Sequence, residues 1–174
     1  MAGSVDYSVT PRSRKDLRNL AAQIRKVLGL EDALYFPIVE LLDVLEETLP
    51  GFSYSIIDDE ELPPNKHAET NVYTGEIRIK QSVYEGARRG KGRDRMTIAH
   101  EFSHYMTLCF LGFKLSRTIG GDGPLPYEDP EWQAKCLAGE LLVPYDLVRG
   151  MSATEVARRC GVSMDAAKYQ LKVA

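Results

Sequence analysis

The sequence predicts an α+β domain in which helices, a small sheet and further helices follow one another. Apolar residues recur at helical spacing towards both ends of the chain, and short β-rich runs lie between residues 52 and 80. The chain has 174 residues, 44% hydrophobic and 27% charged, which suits one core and is too apolar for disorder.

Residues 1–12 are expected to form a flexible arm, with the domain proper over 13–174. Ser13 and Asp16 have N-cap spacing, and Leu17, Leu20, Ile24, Val27 and Leu28 make the stripe of a first helix that Gly29 stops. A second helix is expected from Pro37, whose fixed φ suits a first helical position, to just before Pro50-Gly51. Phe52 to Ile57 and Asn71 to Lys80 read as strand, with a proline- and acid-rich loop between them. A short helix over 81–89 and the basic link RRGKGRDR lead to a helix over 94–111. A glycine- and proline-rich loop follows from Gly112, and another helix runs from Asp129-Pro130 to just before Pro144. The tail reads as short helices, with 152–174 a hairpin that turns at Gly161 and restarts at Ser163.

The formal charge of −3 argues against nucleic acid as the main partner. Cys109, Cys136 and Cys160 are odd in number, far apart and without a CxxC pair, which fits a reducing compartment. No stretch reads as a signal peptide or a membrane span, so the expected location is the cytoplasm.

His100-Glu101-Phe102-Ser103-His104 carries the chemistry. Residues four apart on a helix share a face, so both imidazoles can reach one ion, and zinc prefers such donors. Glu101 lies about 100° round the helix, placed to take a proton from metal-bound water, whose pKa zinc lowers towards ~7. Ile98, Ala99, Phe102, Tyr105, Met106, Cys109 and Phe110 share the opposite, apolar face. Chance gives the pattern in a chain of this length on the order of half a percent of the time, which favours a metal site over a coincidence.

A catalytic zinc usually takes a third protein ligand. The remaining histidine, His67, lies upstream in a loop, and the helix after Pro130 offers Glu131 and Glu140. At ~100° per residue, Glu131 falls inside the apolar sector with Ala134, Leu137, Ala138, Leu141 and Leu142, while Glu140 points to expected solvent. A carboxylate on a buried face needs a partner, and an ion is one, so the wheel favours Glu131. The plainer reading of Glu131 is an acid at a helix start.

RDRMTIAHEFSHYM followed by EWQAKCLAGELLVP resembles the ImmA/IrrE family of metallo-endopeptidases. Arg95, Thr97, Ala99 and His100 match the pattern before the motif, and Glu131, Ala134, Ala138, Leu141, Leu142 and Pro144 match the later helix. The resemblance covers roughly residues 13–172. It implies a single zincin-like domain of gluzincin type, with a small mixed sheet, the active-site helix and C-terminal helices. It also implies zinc on His100, His104 and Glu131, Glu101 as general base, and a helix-turn-helix repressor of a mobile element or stress regulon as substrate. Ser103 departs from the glycine of many members and is small enough to be tolerated.

Other features have two readings. The run Arg88, Arg89, Lys91, Arg93 and Arg95 is a solvated link or an acid-binding surface, with Arg95 expected to orient the motif helix through an ion pair. Glu76 to Lys80 could edge the cleft and pair with a substrate strand, or be an ordinary guarded edge. Tyr73, Tyr127, His67 and Tyr105 are candidate oxyanion donors, Tyr105 being on the core face. Two alternatives to an enzyme stay open: a metal-containing anti-repressor that only binds, and a DNA-binding regulator built on the C-terminal helices.

Overall fold

The computed structural model describes residues 7–111, 116–117 and 125–173. In chain order the elements are β1 (Tyr7–Ser8), α1 (Arg14–Val27), α2 (Leu42–Thr48), β2 (Ser53–Ile57), β3 (Ala68–Thr70), β4 (Glu76–Lys80), α3 (Gln81–Arg88) and α4 (Gly92–His104). They continue with β5 (Ser116–Arg117), α5 (Pro130–Leu142), α6 (Tyr145–Val148), α7 (Ala153–Cys160) and α8 (Met164–Val173). The mixed α+β class expected from the sequence is the observed one.

α1 begins as its sequence dictates. Ser13 Oγ accepts from the Asp16 N–H, and the Asp16 carboxylate accepts from the Ser13 N–H. α2 starts at Leu42 instead of Pro37. Ile38 N–H donates to Phe36 O and Leu42 N–H to Val39 O, bonds shorter in sequence than an α-helix makes, so the chain runs through turns until Leu42.

The main sheet has the order β2-β4-β3, with β2 parallel and β3 antiparallel to β4. β4 is therefore the central strand, so Glu76 to Lys80 is neither the cleft edge nor the ordinary guarded edge that the sequence left open; the edge beside the cleft is β3. The turn explains the difference. Asn71 Oδ1 accepts from the N–H groups of Tyr73 and Thr74, and Gly75 takes φ +76°, folding β3 back onto β4. The polar run before Asn71, expected as loop, thus supplies the edge strand. Ile77 and Ile79 are fully buried with Ile98 and Phe102 of α4.

α4 lies against α5, and Ala99 of the one and Ala134 and Ala138 of the other are fully buried, small side chains that permit close approach. α1 covers another side of α5. After His104, the α-helix widens into π-helical turns over Tyr105–Phe110. The α7–α8 turn sits on the first turn of α4: a side chain at Gly92 would collide with the backbone of Val162 and Ser163. Ser152 and Ser163 cap the two helices of this hairpin, and Gly161 makes its turn at φ +65°.

The expected arm over 1–12 is joined to the body from Tyr7 onward. β1 pairs with β5, Val9 is buried, and the Val9 and Arg12 N–H groups donate to the carbonyls of Glu128 and Tyr127. Residues 1–6 and most of the glycine-rich loop after α4 lie outside the described residues.

Candidate metal centre

Helical spacing brings the two imidazoles together as the sequence requires. The rings of His100 and His104 lie 4.7 Å apart, edge to face. The first turn of α5 brings in Glu131, whose helix starts where Asp129 Oδ1 accepts the Glu131 N–H at 2.9 Å. Glu131 Oε2 is 3.2 Å from His100 Nε2, and Oε1 is 3.1 Å from His104 Nε2. Within the described residues these three are the group whose ligand atoms could surround one ion, all within 4.8 Å of one another. Donors ~2.0–2.1 Å from a tetrahedral zinc stand about 3.3 Å apart, so the spacing and the two-nitrogen, one-carboxylate donor set both fit that metal.

Hydrogen bonds from His100, and then from His104, hold the Glu131 carboxyl well below the usual carboxylate range. His104 Nδ1 is buried with no hydrogen-bond partner among the described residues, so packing orients that ring.

Glu101 lies beside the cluster. Its Oε2 accepts a hydrogen bond from Thr70 Oγ1 at 2.7 Å, which ties the carboxylate to the edge strand β3. Ser103 faces the core and donates to the Ala99 carbonyl at 2.7 Å, so a hydroxyl fits where many family members have glycine. A cleft of about 660 Å³ runs along α4, with β3 on one wall and the start of α5 on the other.

The two α5 carboxylates reverse their expected exposure. Glu131, placed in the apolar sector, has a side chain 71% exposed. Glu140, assigned to solvent, has a side chain only 2% exposed and is bound by Arg14 at 3.2 Å and Arg18 at 3.0 Å. Gln133 through Leu142 are buried on every side except at Lys135, so this helix has little solvent face, while its first turn projects into the cleft.

Arg95 is fully buried, but its partners are carbonyls rather than the expected carboxylate. It donates to Cys160 O at 2.9 Å and to Gly161 O and Phe36 O, with Tyr35 stacked 4.0 Å from its Cζ. Burial lowers its pKa, and the carbonyls at the C-terminal end of α7 favour its charge.

Of the candidate oxyanion donors, Tyr105 is buried and donates to Pro50 O at 2.8 Å. Tyr73 and Tyr127 are exposed away from the cleft walls, whereas His67 lines the cleft beside Arg93, at 3.3 Å. Sequence reading had passed over Thr70 and Lys135, both on the cleft wall. Lys135 follows Glu131 by one turn and was detectable; Thr70 depended on a strand register that the sequence hides.

No helix among the described residues is long and apolar enough to cross a membrane. In the comparisons, the family model of peptidase M78, described as the IrrE N-terminal-like domain, matches residues 57–172. A comparison with curated proteins gave no match. A solved structure of a Mycobacterium tuberculosis transcriptional regulator is similar in fold, with a TM-score of 0.61 at 16% identity over 91% of this chain. The chain spans 46% of that structure's length. With two thirds of its length matched, the motif helix and the Glu131 helix included, the chain belongs to the peptidase M78 family of IrrE N-terminal-like domains.

Proposed function

We propose that this protein is a cytoplasmic zinc-dependent endopeptidase with a zincin-like active site, cutting a helix-turn-helix repressor. The convergence of His100, His104 and Glu131 beside Glu101, in an open cleft edged by β3, carries the reading. His100 Nε2, His104 Nε2 and a Glu131 oxygen would hold the ion, which when bound supplies Lewis acidity for hydrolysis. β3 pairs with β4 alone among the described strands, so its outer edge is free to take an extended peptide by main-chain hydrogen bonds. Glu101 Oε accepts a proton from the attacking water as the water oxygen bonds to the carbonyl carbon. It then returns that proton to the nitrogen as the C–N bond breaks. Thr70 keeps the carboxylate turned towards that water.

The test is incubation with zinc and a helix-turn-helix repressor, one encoded beside this protein being the natural choice. Wild type is expected to yield two fragments, and Glu101→Gln to lose roughly 10²–10⁴-fold in rate with the fold intact. A repressor that leaves its operator uncut would instead assign a binding role.

A further inference from the structure

We propose that the end of the cleft beside the N-terminus of α4 is a carboxylate-binding subsite, formed by Arg93 and Lys135, that selects an acidic residue of the substrate. The inference rests on the peptidase reading above and adds the substrate's chemistry to it.

The charges lining the cleft are three bases, Lys66, Arg93 and Lys135, and three acids, Glu69, Glu101 and Glu131. The acids are all engaged. Glu69 binds Lys66 at 2.8 Å and Arg78 at 2.9 Å, Glu101 accepts from Thr70, and Glu131 sits on the two imidazoles. Arg93 and Lys135 form no ion pair among the described residues. Arg93 and Lys135 are thus the two cleft cations without an acidic partner among the described residues.

Both cations stand on the side of the cleft that meets the α7–α8 hairpin. The α7–α8 turn is pressed onto Gly92 and contributes Ser163 to the cleft wall, and Lys135 Nζ lies 5.8 Å from the Tyr169 ring of α8. Arg93 is already oriented, with Nη2 3.3 Å from His67 Nε2, which leaves its other N–H groups for a ligand. A planar guanidinium and an ammonium that line the same cleft both suit a carboxylate, and charge-assisted bonds strengthen where the substrate displaces water. Arg93 precedes His100 by seven residues, which is about 10 Å of helix and about three residues of an extended peptide. The acidic residue is therefore expected two to three positions from the bond cut.

A carboxylate can come from an Asp or Glu side chain or from a chain terminus, so the probe is an octapeptide mixture randomised at every position and made with free and with amidated C-termini. Zinc-loaded Glu101→Gln captures peptides for mass spectrometry, and wild type is assayed for cleavage of the same mixtures. Captured peptides are expected to be enriched about tenfold in Asp and Glu, as one charge-assisted contact implies. Arg93→Ala and Lys135→Ala should each lower the enrichment, and Arg93→Glu with Lys135→Glu should replace it with enrichment in Lys and Arg. Enrichment in both mixtures identifies a side chain; enrichment confined to free termini identifies a chain end. Capture indifferent to acids, or unaltered in the double variant, overturns the subsite. Acid-selective capture without any cleavage leaves the subsite standing and removes the peptidase reading. Cleavage without acid preference does the reverse.

Discussion

The two ends of α5 hold the same kind of residue in opposite circumstances. Glu131 stands in the cleft, mostly exposed, against two imidazoles that a metal can take over. Glu140 is sealed beneath α1 against two guanidiniums that nothing replaces. Accessibility marks the carboxylate whose partner must be exchangeable, and enclosure marks the one whose partner is permanent. On one helix, then, burial separates work on a ligand from work on the fold better than residue type does.

Four measurements would break or sharpen that contrast. Glu131→Ala should abolish cleavage and weaken zinc by more than ~10²-fold, since even the outer partners of a ligand are worth 10–100-fold. The metal-free variant should lose less stability than the loss of both Glu140 partners, because Glu131 is mostly exposed; a loss as large would erase the distinction. Arg14→Met with Arg18→Met should cost about 3–5 kcal/mol by urea unfolding, because it strands a buried anion, yet leave one zinc per chain. Glu140→Met should cost less, about 1–2 kcal/mol, because Arg14 and Arg18 keep side chains 21% and 26% exposed and can return to water. If Glu140→Met proves the costlier change, the network is not governed by the enclosed carboxylate. The smallest effect is one of pH. Burial pushes the Cys136 thiol, four residues before Glu140, up to about 11. A folded pKa above the unfolded one favours the folded state fully below the unfolded value, and that advantage is lost as pH rises through the folded one. The unfolding free energy from urea curves should therefore fall between pH 9 and 11, and Cys136→Ala should remove that part of the fall.

What could be read beforehand follows from the range over which each feature is set. The imidazole pair is local: four residues of helix fix it, so His100 and His104 meet as their spacing requires. The α1 cap is equally local and takes the expected form. Glu131 does join the histidines, but the wheel chose it for the wrong reason, expecting burial where there is a cleft. A wheel assigns one solvent side, and α5 is enclosed by neighbours that it cannot represent. Arg95 shows another limit: carbonyl partners leave no mark on a sequence, so its environment looked like an ion pair. β3 is three residues long and is a strand only because Asn71 and Gly75 turn it onto β4, which hid both Thr70 and the true edge of the sheet.

The Arg95 anchor also sets an order of events. Its guanidinium lies on the motif helix, and two of its acceptors, Cys160 and Gly161, are made 65 and 66 residues later. A growing chain leaving the ribosome exposes His100 and His104 well before those carbonyls exist. Until they arrive, a cation destined for the interior has Phe36 O as its one protein acceptor of the three it finally holds. The helix that would grip the ion is thus fully fastened only once translation has passed Gly161.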